Sequence, residues 1–115
     1  MASDQLFLLD IKEGTFSSQW VTIPIKSGST PGKRYGHTLV YNNPYIILFG
    51  GNCNNEVMND AWTFNSINDS YQWFKVELNP NDPAPCPRAY HSADICTFGA
   101  GSGMMVIFGG RRKDG

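Results

Sequence analysis

The sequence is poor in cysteine, and its cysteines have no pattern typical of a functional site. Only three of the 115 residues are cysteines, Cys53, Cys86 and Cys96, and none of them shares the C-x-x-C spacing of zinc and redox sites. An odd number at irregular spacing also argues against a disulfide framework. Free thiols are typical of intracellular proteins, so we expect the protein in the cytoplasm, the nucleus or both.

The sequence also lacks an excess of one charge and a long apolar run. Its formal net charge is −1, which gives the whole chain no attraction to nucleic acid or to an anionic membrane. No run is long enough to span a bilayer, and the first five residues lack the basic start of a secretory signal. The one basic cluster, at residues 111–113, is expected to be a solvated loop rather than a phosphate-binding patch. We therefore expect protein partners, and neither nucleic acid nor membrane.

Turn-forming and aromatic residues are abundant by comparison. Twelve glycines and seven prolines lie between short apolar runs, and 13% of the residues are aromatic. Many turns between short apolar segments favour an all-β chain over a helical one.

An internal repeat runs through the chain with an offset of about 54 residues. The features that recur in the same order are a tryptophan (Trp20 and Trp73), the motif P-x-x-R (residues 31–34 and 85–88), a histidine (His37 and His91) and the tripeptide Phe-Gly-Gly (residues 49–51 and 108–110). The tripeptide has the larger offset of 59 because a glycine-rich turn at residues 98–103 lengthens the second copy. Insertions in surface turns cost little closure entropy, so the register survives them.

Each copy also predicts β-strands. We expect strands over residues 38–41, 45–49, 60–65 and 71–77, with Trp62 and Phe64 on one face of the third. The run 45–49 is apolar without alternation, which is typical of a strand covered on both faces. Gly50 and Gly51 then end that strand, where a positive φ or a close backbone approach excludes a Cβ.

These residues resemble the kelch repeat, which joins P-x-x-R-x-x-H, a double glycine, D-x-W-x-(F/Y)-(D/N) and a further tryptophan. The resemblance covers nearly the whole chain and implies all-β, four-stranded antiparallel blades of a kelch-type β-propeller. It does not fix a function. The matching residues are Pro31, Arg34, His37, Gly50, Gly51, Asp60, Trp62, Phe64, Asn65 and Trp73.

A narrower resemblance is to the N-terminal propeller of kelch-bearing serine/threonine phosphatases. It rests on residues 60–64, 71–73, 83–86 and Tyr90. In that family a metal-dependent phosphatase domain follows the propeller, and none of its metal-binding motifs (GDxHG, GDxxDRG, GNHE) occurs in this sequence. The resemblance therefore implies a regulatory propeller segment whose catalytic domain lies elsewhere.

The predicted strands make about two blades in three parts. Residues 1–30 would hold the last two strands of one blade (6–10 and 19–24), residues 31–84 a complete blade, and residues 85–115 the first two strands of the next. Terminal half-blades leave unpaired strand edges. Either neighbouring sequence completes them, or three copies of the chain form a homotrimer that closes one six-bladed ring.

The candidate site residues divide into a structural set and a partner-contact set. Histidines and arginines that recur from blade to blade are better explained by blade structure than by catalysis, and no catalytic, cofactor-binding or metal-binding residue is predicted. The structural repeat positions are Arg34, His37, Gly50, Gly51, Trp62, Trp73, Arg88, His91, Gly109 and Gly110. The residues expected to contact a partner are Arg34, Arg88, Asn54 and Asn55.

The function predicted from these observations is a protein–protein interaction scaffold without enzymatic activity of its own. Within a phosphatase it would recruit substrates or regulate the attached enzyme. Two alternatives stay open: the substrate-receptor domain of a ubiquitin ligase, and the propeller of an oxidase-type enzyme.

Overall fold

The computed structural model describes residues 2–11, 18–23, 28–65 and 71–113, whose regular secondary structure is β-strand apart from one short 3-10 turn. No helix among them is long and apolar enough to cross a membrane. The strands are β1 (Phe7–Ile11), β2 (Ser18–Thr22), β3 (Thr38–Asn42), β4 (Tyr45–Phe49), β5 (Asn52–Cys53), β6 (Glu56–Val57), β7 (Ala61–Asn65), β8 (Gln72–Lys75), β9 (Ser92–Ile95) and β10 (Met105–Phe108). A short 3-10 turn, Gly99–Gly101, lies between β9 and β10.

Strands β3, β4, β7 and β8 form one four-stranded antiparallel sheet in that order, which we call the central blade. Its strands lie within two residues of those predicted from the sequence, and the all-β fold class is confirmed. Leu48 of β4 pairs with Trp62 of β7, and Phe64 of β7 pairs with Trp73 of β8. These side chains therefore share one face of the blade.

Two hairpins flank the central blade. The β1–β2 hairpin packs next to the face that carries the tryptophans, where Ile23 joins Leu48, Trp62, Phe64 and Trp73 in the buried core. The predicted strands 6–10 and 19–24 correspond to this hairpin, with Pro24 outside the described residues. The core of the chain is thus an interface between blades, as a propeller requires.

The β9–β10 hairpin lies on the other side of the central blade. Three backbone hydrogen bonds join the two: Tyr90 N–H to the Gly36 carbonyl (2.7 Å), Gly51 N–H to the Arg88 carbonyl (2.9 Å) and Arg88 N–H to the Met58 carbonyl (3.0 Å). The segment before β9 is therefore fixed to the central blade, and the backbone fixes the relative position of the two blades.

A small hairpin that the sequence did not predict follows the double glycine of the central blade. It consists of β5 and β6, and its two turn residues, Asn54 and Asn55, have φ of 53° and 67°. Two consecutive left-handed residues are typical of a type I′ turn, in which asparagine is favoured. The hairpin projects both asparagine side chains into solvent.

Candidate interaction face and its supporting network

Arg34 is a buried cross-link within the central blade. Its side chain donates to the Gly50 carbonyl (2.8 Å), to the Pro31 carbonyl and to both carboxylate oxygens of Asp60 (2.8 and 3.1 Å), and Arg34 is 4% exposed. Asp60 also accepts a hydrogen bond from the Trp62 indole at 2.8 Å. One ion pair thereby fixes the segment before β3, the double glycine and the start of β7.

The electrostatics of Asp60 follow from these contacts. Burial acts to raise the pKa of its carboxyl, but the hydrogen bonds from Arg34 and Trp62 and the positive charge of Arg34 outweigh burial and hold the pKa below its usual value. The carboxylate is therefore charged at neutral pH, and its partners stabilise the charged form.

Arg88 makes one of the two backbone contacts of Arg34 in the second copy. It donates to the Gly109 carbonyl (3.0 Å), as Arg34 does to Gly50. Its other backbone acceptor is the carbonyl of Cys86 (3.1 Å), two residues before it, whereas Arg34 donates to Pro31, three residues before it. Its remaining contact is with the Cys86 thiol at 3.3 Å rather than with a carboxylate. Arg88 is only half-buried, and the repeat keeps its contact with the first glycine of the pair.

The two histidines lie between blades. The His91 Nε2 atom is 2.8 Å from the Thr38 hydroxyl, and the ring meets Phe49 edge to face at 5.4 Å. Burial lowers the pKa of His91, with a further lowering from Arg88 and a partial offset from the Phe49 backbone. Burial and the positive charge of Arg34 likewise lower the pKa of His37, and His91 in its protonated form lowers it further. His91 thus joins neighbouring blades as a neutral side chain.

The paired glycines occupy equivalent positions in the two copies. Gly51 has a φ of +94° and Gly110 a φ of +95°, and a Cβ at either would lie 2.8 Å from the Cβ of His37 or His91 respectively. Gly50 and Gly109 precede them, and Trp62 and Trp73 form the core of the central blade. The geometry is that of a structural repeat.

The four residues expected to contact a partner differ in accessibility. Asn54 and Asn55 are exposed at the tip of the β5–β6 hairpin, and Arg88 is half-buried. Arg34 is buried among the groups that accept its hydrogen bonds. A partner would reach Arg34 only after the Asp60 pair opened. Contact at these residues stays a prediction, and the hairpin tip is the part of the set that a partner can reach directly.

The structure adds two tyrosines to this surface, neither of which the sequence predicted as a partner contact. The rings of Tyr35 and Tyr90 lie 6.3 Å apart and are 46% and 64% exposed. With Asn55 they line a hollow of about 260 Å³ between the hairpin and the segment after β10. One indication of Tyr90 was present in the sequence: the repeat aligns it with Gly36, and a bulky residue in place of a glycine is unusual at a turn. We call the surface around this hollow the interaction face.

Within the described parts of the chain, no group of three or more histidine, cysteine, aspartate or glutamate side chains is arranged to hold a metal ion. The three cysteines are free thiols, each half-buried.

Comparison with known proteins agrees with this geometry. The family model of the KLHDC2/KLHL20/DRC7 kelch-repeats domain matches residues 1–115. Similar proteins include the Leucine-zipper-like transcriptional regulator 1 homolog of Drosophila melanogaster, 34% identical over 76% of this chain and 8% of its own length. Serine/threonine-protein phosphatase BSL2 of Arabidopsis thaliana is 28% identical over 96% of the chain and 10% of its own length.

An F-box/kelch-repeat protein of Arabidopsis thaliana is 36% identical over 75% of the chain and 18% of its own length. The chain thus spans less than a fifth of the length of each of these curated relatives. The repeat, the blade and the full-length family match lead to one conclusion: this chain belongs to the kelch-repeat family and is a segment of a kelch β-propeller, a fold that serves as a protein-interaction domain.

Proposed function

We propose that this kelch segment belongs to a serine/threonine protein phosphatase, where it recruits substrates or regulates the attached enzyme. The observation that carries the proposal is the similarity to the phosphatase BSL2, which extends over 96% of the chain and includes all strands of the central blade. The exposed hairpin tip and the interaction face offer surface for a partner, while the buried Arg34 network keeps them in place.

Activity of the parent protein tests the proposal. The endogenous protein that contains this chain would be immunoprecipitated with an antibody against residues 71–113 and assayed for manganese-dependent release of phosphate from phosphoserine peptides. We expect activity that an antibody-matched mock precipitate lacks. Absence of activity, together with an F-box or BTB domain in the precipitated protein, would contradict the proposal.

A ubiquitin-ligase substrate receptor is the second candidate, and a specific observation favours it. The F-box/kelch-repeat relative has the higher identity, 36%, although it matches a smaller share of the chain. Under this proposal the same immunoprecipitate would contain a cullin scaffold and no phosphatase activity. Mass spectrometry of the precipitate separates the two candidates in one measurement.

We further propose that copies of the chain associate as a homotrimer that closes a six-bladed ring. In the central blade, β4 pairs with β7, and by the repeat β10 corresponds to β4 and β1 to β7. Among the described residues β10 pairs only with β9, and β1 only with β2. The β1 edge of one copy thus matches the β10 edge of another, and pairing them would give a four-stranded blade.

Exposed apolar side chains lie where this association would cover them. Phe108 is 78% exposed, whereas Phe49, at the same position of the first copy, is 6% exposed because the next blade covers it. On the other terminal hairpin Phe7 and Trp20 are 57% and 68% exposed. Burial of large side chains like these is the main driving force of stable association.

Light scattering after size exclusion tests the homotrimer. We expect three times the 12.8 kDa of one chain, and loss of the trimer in Phe108→Glu. Phe98→Glu is the matched control, since Phe98 is 79% exposed but lies in the glycine-rich turn. A monomer at micromolar concentration, or a trimer that Phe108→Glu does not disturb, would overturn the proposal.

We also propose that the protein resides in the cytoplasm, the nucleus or both. The support is chemical: three half-buried free thiols suit a reducing compartment. Immunofluorescence with fractionation checks it, and recovery of the protein from the secretory pathway or the medium would refute it.

A further inference from the structure

A cleft opens between the β5–β6 hairpin of the central blade and the segment that follows β10. It consists of two adjoining hollows of about 460 and 260 Å³, both lined by Val57, Arg112 and Lys113. Tyr35 and Tyr90 line the smaller hollow together with Asn55 and Arg111. The cleft therefore combines parts of two blades, and neither blade forms it alone.

The charge of the cleft has one dominant sign. The only basic cluster of the sequence, residues 111–113, lies on its wall, and all three side chains are exposed. Glu56 is the one acidic side chain among the described residues that line it. Backbone hydrogen bonds between Arg111 and Ala89, at 2.6 and 2.9 Å, fix the start of the cluster against the neighbouring turn. A chain of net charge −1 thus presents a local cationic site, where a concave wall strengthens the field.

Tyr90 is a bulky residue at a turn position that both copies hold in the left-handed conformation, where glycine would be unstrained. Its φ is +59°, a left-handed conformation that is unfavourable for a bulky residue, and the first copy places Gly36, with a φ of +71°, at the equivalent position. The Tyr90 ring is 64% exposed, so burial of the ring does not offset the strain. Strain that is retained at an accessible residue points to a role in function.

The two tyrosine rings form an apolar surface beside the cationic wall. The Tyr90 ring packs over Gly36, where a Cβ would approach it to 3.2 Å, and meets the Tyr35 ring at 6.3 Å. Glycine at position 36 therefore leaves space for the ring, and Tyr35 supports it. Aromatic side chains with few rotatable bonds, next to arginines, are the residues enriched where proteins bind partners most strongly.

We propose that this cleft binds an extended acidic segment of a partner protein. Arg111 and Lys113 pair with its carboxylates, and Tyr35 and Tyr90 cover its apolar atoms. This inference rests on the proposed interaction function and specifies its site and the chemistry of the partner. A peptide fits better than a nucleic acid, because the basic cluster is short and the rest of the chain has no excess of positive charge.

Fluorescence anisotropy with the whole chain tests the proposal. The probe is a labelled nonapeptide library with Asp or Glu at four fixed positions, compared with the same library carrying Asn or Gln there. We expect the acidic library to bind at least about tenfold more tightly, which corresponds to one well-formed charge pair, and to weaken as salt rises. No binding, or equal binding of the two libraries, overturns the proposal.

Variants locate the binding. The double variant Arg111→Ser with Lys113→Ser is expected to bind the acidic library about tenfold more weakly. The control variant, Lys33→Ser with Lys75→Ser, removes the same charge from exposed positions that do not line the cleft and should leave the affinity unchanged. Tyr90→Gly, which matches the first copy, should weaken binding without unfolding the chain. Equal losses in both double variants would show a non-specific charge effect and contradict the cleft. Equally tight binding of single-stranded DNA would contradict the assignment to peptides.

Failure of the cleft and failure of the interaction function give different results. The parent protein would be cross-linked in cells as wild type and as Arg111→Ser with Lys113→Ser. If partners persist in the variant and the acidic library does not bind, the cleft is wrong and the interaction function stands. If the wild type captures no partner above a mock control, the interaction function itself fails.

Discussion

Substituting Gly51 by alanine tests whether the double glycine is required by close backbone packing. The φ of +94° costs an L-residue about 1 kcal/mol. A Cβ would also lie 2.9 Å from the Tyr35 carbonyl and 2.8 Å from the His37 Cβ. That carbonyl cannot move away freely because it accepts the Asn52 N–H at 2.7 Å. Overpacking of this kind adds about 1–3 kcal/mol, so we expect a total destabilisation of about 2–4 kcal/mol.

Two further glycines separate backbone strain from steric overlap. Gly103 has a φ of +84° and no atom within 4 Å of its Cβ position, so Gly103→Ala should cost only about 1 kcal/mol. Gly110 repeats the environment of Gly51, with the Ala89 carbonyl and the His91 Cβ both at 2.8 Å. Gly110→Ala should therefore resemble Gly51→Ala and not Gly103→Ala.

Urea denaturation followed by tryptophan fluorescence measures the three free energies of unfolding. The signal is suitable because Trp62 and Trp73 are buried and become exposed on unfolding. Thermal midpoints should fall by about 4 °C for each kcal/mol. The reasoning is refuted if Gly51→Ala and Gly103→Ala lie within about 0.5 kcal/mol of each other, or if Gly110→Ala behaves like Gly103→Ala.

Three other changes give separate expectations. Asp60→Asn should destabilise the fold by about 3 kcal/mol at pH 7, since it leaves Arg34 buried without its counter-ion. Because the pKa of Asp60 is lowered in the fold, the stability that Asp60 contributes is present above its unfolded pKa and is lost in acid. The variant should therefore lose less stability than wild type between pH 5 and pH 3, and equal losses of the two proteins in urea titrations would count against the ion pair. The lowered pKa of His91 means that the unfolded chain binds a proton at this residue more readily than the folded chain does. The free energy of unfolding should therefore fall as the pH drops below 6.5, the pKa of His91 in the unfolded chain. In thermal unfolding measured from pH 7.5 to 5.5, His91→Gln should show a smaller fall in stability than wild type. Tyr90→Asn should leave the stability unchanged or raise it by up to about 1 kcal/mol, because asparagine tolerates a left-handed backbone. A loss of more than about 1 kcal/mol in calorimetry would show that packing of the Tyr90 ring already offsets the backbone strain.

The sequence was most informative where a residue type has one physical explanation. The unbroken apolar run at residues 45–49 became β4, and the alternation of Trp62 and Phe64 became one core face, because both patterns follow from which faces of a sheet are covered. The β5–β6 hairpin was missed because each strand has two residues, too few for a periodicity. Its Asn-Asn turn also lacks the glycine that makes such turns recognisable.

The interaction face was only partly predictable, because its geometry depends on contacts between blades. The exposure of the asparagines at the hairpin tip was predictable, since loops tend to lie on the surface, whereas their contact with a partner stays a prediction. The strain at Tyr90 was not found, because a glycine at position 36 does not by itself reveal a positive φ. The basic residues 111–113 were expected to be solvated, and they are exposed, but only the fold shows that they face two tyrosines.

Phe49 and Phe108 show that the repeat determines conformation but not burial. Both end the second strand of a blade and precede a double glycine, yet their exposures are 6% and 78%. Covering one phenylalanine contributes about 2 kcal/mol, which is a substantial part of the stability of a small domain. A cover on Phe108 would therefore stabilise this chain measurably, and the size of the Phe108→Glu effect on thermal stability tests for such a cover. If the effect is as small as that of Phe98→Glu, then nothing covers Phe108 in solution, and the central blade and its two hairpins are stable alone.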